Sequence, residues 1–479
     1  MKCFQYASSG QIPCVSGKKR LFFRWFLIRC CHIVEYMDDA RLHFAKGLVK
    51  HTPRFSSPLN QKNVATYCKS VLANGIRVVS EEIPHVRSVS IGIWVDTGSR
   101  DEDPSLNGVS HFIEHMVFKG TKRRSIKDIA RSLEAVGGYL NAFTGKEHTC
   151  YYARVLDEHM PLAVDVLSDL VCGPTFPVPE LEKEKGVVIE ELRNAEDDPD
   201  DIIHDYVERE VFGEHPLGQP VIGTEKNLRA FTRDDLMAFR REHYTSGKIV
   251  VAAAGRIRHE DVVALAEKHL SKVRAEAIVG RRERPRRRDG KEVKLRRPIQ
   301  QAHVCLGTMA YSVLDKERFP MLVLNTLLGD GMSSRLFQSV RERKGYAYSV
   351  YSFVNTLSDT GTFGVYAGLD KENIGRASDL IWKELELLCK RPVAGPELRR
   401  TKDQLKGSMM LSLESIPNRM MRLGGSELAL GKLPTLDSIL ESIDAVTNED
   451  ILRVAGDILR RDRCATVIIE PDGSSGPKE

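Results

Sequence analysis

A succession of strands and helices that spans residues 89–195 recurs between residues 302 and 412, and a chain that repeats its own pattern at this scale has few folds open to it. The apolar strand 89–95 has a counterpart at 302–307, and the helix-like stretch 106–119 one at 319–328. The strand 148–155 answers to 362–367, and the helices 158–171 and 179–195 answer to 371–389 and 396–412. Punctuation between them is local. Asn74-Gly75 between apolar flanks marks a hairpin, Gly137-Gly138 stops a helix over 126–136, and Gly145-Lys146-Glu147 joins strands 139–144 and 148–155. Further helices are expected over 200–211 and 233–242, and a short strand over 249–254. Strands and helices mix without strict alternation, so the expected class is α+β: two homologous α/β-sandwich-like halves, each with a mixed, mostly antiparallel sheet. The boundaries read as a leader (1–65), a first half (66–275), an arginine-rich linker (276–297) and a second half (298–475).

The net charge of +5 is a poor guide to partners until it is divided along the chain. Residues 1–60 and 281–297 each carry 10 basic and 3 acidic residues, which leaves 51 basic against 60 acidic residues in the body. The linker has no aromatics interleaved with its arginines on which bases could stack, so no nucleic-acid role is expected. The leader's apolar run is interrupted by Arg24 and ends in Arg29-Cys30-Cys31, too short for a membrane span and lacking the small residues of a secretory cleavage site. It reads as a disordered basic extension, in composition close to a mitochondrial transit peptide, and no membrane insertion is expected. Ten cysteines in a chain of 479 residues form no CxxC and no zinc-finger spacing, which points to reduced thiols.

The chemistry is concentrated in Ser110-His111-Phe112-Ile113-Glu114-His115-Met116-Val117-Phe118. In a helix, positions i and i+4 share a face, so His111 and His115 project side by side as two imidazole ligands for one Zn2+. Glu114 lies beside them, placed to take a proton from a metal-activated water. This is HxxEH, the inverse of the HExxH metalloprotease motif. The intervening residues are apolar, and ionisable groups in such a helix are costly unless paired or bound to metal. A catalytic zinc of this kind needs a third protein ligand, and the acidic helix around Glu180–Leu192 offers Glu184 and Glu191, seven residues apart and so two turns apart on one face. Val187, Val188 and Ile189 are expected to pack inward beside them.

HFIEHMVFKG followed by GGYLNAFT and EKEKGVVIEE resembles the pitrilysin/insulinase family of inverzincin metallopeptidases, whose members include bacterial zinc proteases and the β subunit of mitochondrial processing peptidase. The resemblance covers about 66–475 and implies one active and one inactive half facing each other as a clamshell. It implies that the third metal ligand is Glu191, 76 residues past His115, with Glu190 as the off-by-one alternative, and that Glu184 assists from behind. It implies that Asn141 and Ala142 lie on a strand edge that pairs with the substrate backbone. In the second half, Arg341 and Tyr348 resemble the family's Arg-x6-Tyr pair, with Tyr346 as a competitor, and imply contacts to the substrate carbonyl and the developing oxyanion.

The resulting expectation is a zinc-dependent endopeptidase with one Zn2+ per chain, held by His111, His115 and Glu191, with Glu114 as base, acting on peptides or on unfolded, presequence-like segments. The alternative is a non-catalytic scaffold of the same fold, such as a respiratory-complex core subunit. The resemblance also implies a homodimer or a heterodimer with a related subunit. The expected compartment is the bacterial cytoplasm, with the mitochondrial matrix as the alternative.

Overall fold

The computed structural model describes residues 66–275 and 282–473; the expectations for the leader and for 276–281 lie outside the described residues. In the first half, β1 (Thr66–Val71), β2 (Arg77–Glu82), β3 (Ser88–Val95), β4 (Tyr139–Thr144), β5 (Thr149–Leu156) and β6 (Ile249–Gly255) form one sheet in the order β1-β2-β6-β3-β5-β4. In the second, β7 (Glu292–Arg297), β8 (Ala302–Ala310), β9 (Ala347–Thr356), β10 (Gly361–Leu369) and β11 (Ala465–Pro471) form the order β7-β11-β8-β10-β9. Without β1 the two orders correspond strand for strand, and each contains a single parallel pair, β2 with β6 and β7 with β11. The duplication expected from the sequence is therefore present, in an α+β fold with mixed sheets.

The linker reading needs correction. Its last six residues are β7, the counterpart of β2. Val293 and Leu295 pack inward while Glu292, Lys294 and Arg296 face out, a two-residue alternation that the surrounding charge conceals. Two of its arginines are also engaged with acids of the folded halves. Arg282 bonds Asp101 (2.8 Å) and Asp96 (2.9 Å), and Arg287 bonds Asp457 (2.7 Å).

The helices of the first half are α1 (Val109–Val117), α2 (Ile126–Glu134), α3 (Met160–Cys172), α4 (Val178–Asp197), α5 (Pro199–Phe212), α6 (Glu225–Ala230), α7 (Arg233–His243) and α8 (His259–Leu270). Those of the second are α9 (Arg318–Gly329), α10 (Ile374–Lys390), α11 (Gly395–Ser412), α12 (Ile416–Leu430), α13 (Leu436–Asp444) and α14 (Asn448–Ile458). Strand β3 shows how they are placed. Val89, Ile91, Ile93 and Val95 point to one face, into the core built by α1, α3, α4 and α8. Trp94 points to the other, onto Ile416, Met420, Met421 and Leu423 of α12, a helix from the second half. The exchange is reciprocal, because α5 of the first half lays Ile203, Val207 and Val211 against Cys305, Val467 and Ile469 of the second sheet. Each half thus lends one helix to the other.

At both crossings a glycine permits the approach. A Cβ on Gly424 of α12 would lie 2.2 Å from Trp94 Nε1, and one on Gly307 of β8 would lie 2.1 Å from Val207. Gly424→Val is expected to destabilise the protein by about 1–3 kcal/mol or more through overpacking. Gly407→Ala, on a helix face with nothing within 4 Å, is expected to be neutral or stabilising by about 0.5–1 kcal/mol. Denaturant titration of both variants measures the contrast, and equal stability would contradict this account of the crossing.

A buried ion network ties the halves at one edge. The Arg100 side chain, 1% exposed, bonds Glu147 (2.6 Å) and Asp359 (2.7 Å), and Glu147 accepts from the Ser358 N–H (2.8 Å). The six described cysteines are free thiols, as expected.

Candidate metal centre

The expected helix 106–119 is broken near its start. A 3-10 turn spans Pro104–Leu106, and α1 begins only after Gly108, whose φ of +99° suits glycine. Side chains are also excluded there, since a Cβ would lie 2.8 Å from the Gly223 Cα. Glu102, which sequence reasoning passed over, anchors the break. Its carboxylate accepts from the backbone N–H of Gly108 (2.7 Å) and Ser110 (2.8 Å), filling donors that a helix start leaves open. Burial pushes its carboxyl up to about 7, against the pull of those two donors.

Phe112, Ile113, Met116 and Val117 bury α1 in the core and thereby fix the facing of its polar residues. His111 is 5% exposed, and its ring centroid lies 4.7 Å from that of His115. Helix α4 packs alongside with Leu181, Glu184, Val188 and Leu192 as its buried stripe. Val187 does not pack inward as expected: it is 49% exposed, because it lies about 100° round the helix from Val188. Glu191 sits at the margin of the stripe, with its oxygens 3.3 Å from His115 Nε2 and 3.9 Å from His111 Nε2. Glu190 points away, toward Arg193.

The ligand atoms of His111, His115 and Glu191 all lie within 4.8 Å of one another. Two ligands each about 2.1 Å from a tetrahedral metal are about 3.4 Å apart, so small side-chain movements suffice for one Zn2+. Two imidazoles and one carboxylate are also a donor set that catalytic zinc uses. Behind them, His115 Nδ1 donates to Glu184 (2.9 Å), whose other oxygen meets Lys119 Nζ (2.6 Å). Beside them, Thr144 Oγ1 donates to Glu114 (2.7 Å). Neither Lys119 nor Thr144 was a candidate from the sequence, although both lie within the matching stretches HFIEHMVFKG and GGYLNAFT.

Burial alone would lower the His115 pKa, but hydrogen bonds to Glu184 and Glu191 outweigh it and lift it to about 9. In the metal-free protein the ring is therefore imidazolium at neutral pH, and this stabilisation, full below the ordinary 6.5, is lost as pH rises through about 9. A metal at Nε2 must displace that proton. Zinc binding is expected to release close to one proton near pH 7 and to tighten about tenfold per pH unit toward pH 9. Calorimetry in buffers of different ionisation enthalpy measures the release, and a heat independent of buffer would refute it.

These groups face a chamber of about 650 Å³ between the halves, lined by His111, Glu114, His115, Ala142 and Glu191 on one side and by residues such as Phe319, Phe353 and Met409 on the other. Strand β4 is the sheet's edge, paired with β5 alone among the described strands. Ala142 lines the chamber, and Asn141 donates to the Tyr139 hydroxyl (2.8 Å). Arg341 and Tyr348 are not brought to the metal-site residues. The Arg341 guanidinium rests 5.6 Å from the Tyr348 ring centroid, Tyr348 is 71% exposed, and neither lines the chamber. Tyr346 packs instead against the second half's core.

Comparison with known proteins bears on both halves of the chain. Residues 77–225 match the family model described as Insulinase (Peptidase family M16), and 230–405 match the Peptidase M16 inactive domain. The second match starts before β6, which lies inside the first sheet. An uncharacterized zinc protease of Bacillus subtilis, YmxG, is 43% identical over 401 residues, covering 84% of this chain and 97% of its own. Another, from Streptomyces coelicolor, is 43% identical over 415 residues, covering 85% and 90%. Among solved structures, a protease from Helicobacter pylori superposes with a TM-score of 0.80 at 21% identity, covering 85% of this chain and all of that one.

Proposed function

The chain belongs to peptidase family M16, the insulinase family, and from that premise we propose that it is a zinc-dependent endopeptidase with one Zn2+ per chain. The observation that carries this is the convergence of His111, His115 and Glu191 within 4.8 Å, beside Glu114, on the wall of the chamber. When bound, Zn2+ supplies a Lewis acid that polarises the scissile carbonyl and acidifies water. Glu114, held through one oxygen by Thr144, takes the proton of the attacking water with the other and delivers it to the leaving amine. The edge of β4 at Asn141 and Ala142 receives the substrate backbone as an added strand, giving affinity with little dependence on sequence. Residues 66–275 are the catalytic half, and the second half, from β7 onward, is the inactive one that completes the wall.

Arg341 and Tyr348 are exposed and lie off their own chamber. The contact to substrate that the resemblance implies for them is therefore made by a second chain closing over the first, and the working form is a homodimer. The chamber lining holds eight carboxylates, among them Asp201 and Asp205 one turn apart on α5, against four lysine and arginine side chains. That charge favours basic, unfolded segments of the presequence type. Quenched peptides test the reading. A basic peptide should be cleaved about tenfold better than its neutral analogue at low salt, with the advantage shrinking as salt screens the wall. Chelation should abolish both activities, and Zn2+ should restore them. Cleavage that survives chelation would reject the metallopeptidase.

A further inference from the structure

We propose that Lys119 is a positioning residue of the metal site: its ammonium is the fixed positive charge that holds the Glu184 carboxylate on His115. This rests on the reading of His111, His115 and Glu191 as metal ligands. The chain turns just past the end of α1, where the Lys119 N–H bonds the Met116 carbonyl (3.1 Å). Four residues after His115, the lysine side chain reaches the same face of the helix end. Glu184 lies between the two. One oxygen takes the Nδ1 of His115 at 2.9 Å, and the other takes Lys119 Nζ at 2.6 Å. The Glu184 side chain is 5% exposed, whereas Lys119 keeps 22% of its own surface in contact with solvent.

Charge balance gives the lysine its role. A ring nitrogen that gives its lone pair to a metal holds no proton, so His115 in the loaded site is neutral and donates to Glu184 only through Nδ1–H. A carboxylate buried as deeply as Glu184 is costly when its protein donors are all neutral. Lys119 is the lysine or arginine paired with it among the described residues. With that charge in place, Glu184 stays an acceptor, fixes the ring's tautomer and orientation, and leaves Nε2 aimed at Glu191 and the metal.

The experiment measures zinc affinity by competition with a chromophoric chelator. K119M keeps the side-chain stem and removes the charge, K119Q is a second neutral variant, and K119R restores the charge. K119M and K119Q are expected to bind Zn2+ about 10–100-fold more weakly, with K119R close to wild type. A double-mutant cycle with E184Q should be strongly non-additive, so that K119M costs little once Glu184 is neutral. A lysine that merely packs would leave K119M at wild-type affinity, and that result, or an additive cycle, overturns the proposal. Wild-type protein that takes up no zinc overturns the metallopeptidase reading as well. Wild-type uptake with an unaffected K119M removes only the role of Lys119.

Discussion

Glu114→Gln is expected to keep its zinc and lose about 10²–10⁴-fold in kcat, the range that a positioned general base contributes. The substitution preserves shape and retains an oxygen that can accept from Thr144 Oγ1, so the chamber stays intact while the proton acceptor disappears. Metal content by elemental analysis and single-turnover cleavage of a quenched peptide separate the two effects. Wild-type turnover from this variant would eliminate Glu114 as the base. The same variant tests the dimer. Tyr348→Phe should also be impaired, yet a mixture of Glu114→Gln with Tyr348→Phe should recover activity, because one of the two sites in every mixed dimer pairs an intact Glu114 with an intact tyrosine. Random exchange gives about a quarter of wild-type activity for a symmetric pair of sites. No recovery after exchange would place both residues in the same chain's reaction.

Producing residues 66–275 and 282–473 separately is expected to yield two insoluble or molten pieces, whereas co-expression should give a folded complex. The first piece alone would expose the sheet face around Val79, Trp94 and Val250 that Ile416, Met420, Met421 and Leu423 cover. Burying four such side chains contributes on the order of 5–10 kcal/mol, comparable with the whole net stability of a typical protein. Gel filtration and near-UV circular dichroism of each piece provide the measurement. A monomeric first piece with a cooperative unfolding transition would contradict the dependence.

Local features were legible in the sequence. The Asn74-Gly75 turn joins β1 and β2 as expected, and the strands flanking Gly145-Lys146-Glu147 pair antiparallel. The facing of His111 and His115 follows from helical period alone. Choosing Glu191 over Glu190 took the family's 76-residue count, and the structure turns Glu191 toward the histidines. What escaped depends on partners distant in the chain. β7 was hidden because its charges find acids and sheet neighbours far away in sequence. Val187 was misplaced because a run of apolar residues does not say which of them faces the core. The exchange of α5 and α12 had no local signal, since an amphipathic stripe does not name the sheet it covers. Arg341 and Tyr348 match the family pair by spacing, but spacing does not say that both lie off the chamber of their own chain.

The exchanged helices also set a timetable for synthesis. The first sheet is complete in sequence once β6 ends at Gly255, but its second face is sealed only when α12, from Ile416 onward, leaves the ribosome. At roughly 5–20 residues per second that interval lasts on the order of 10–30 s. During it, a nascent chain carries Trp94 and its neighbours uncovered, so cells with limited chaperone capacity should accumulate this protein in aggregates well before its mature form is unstable.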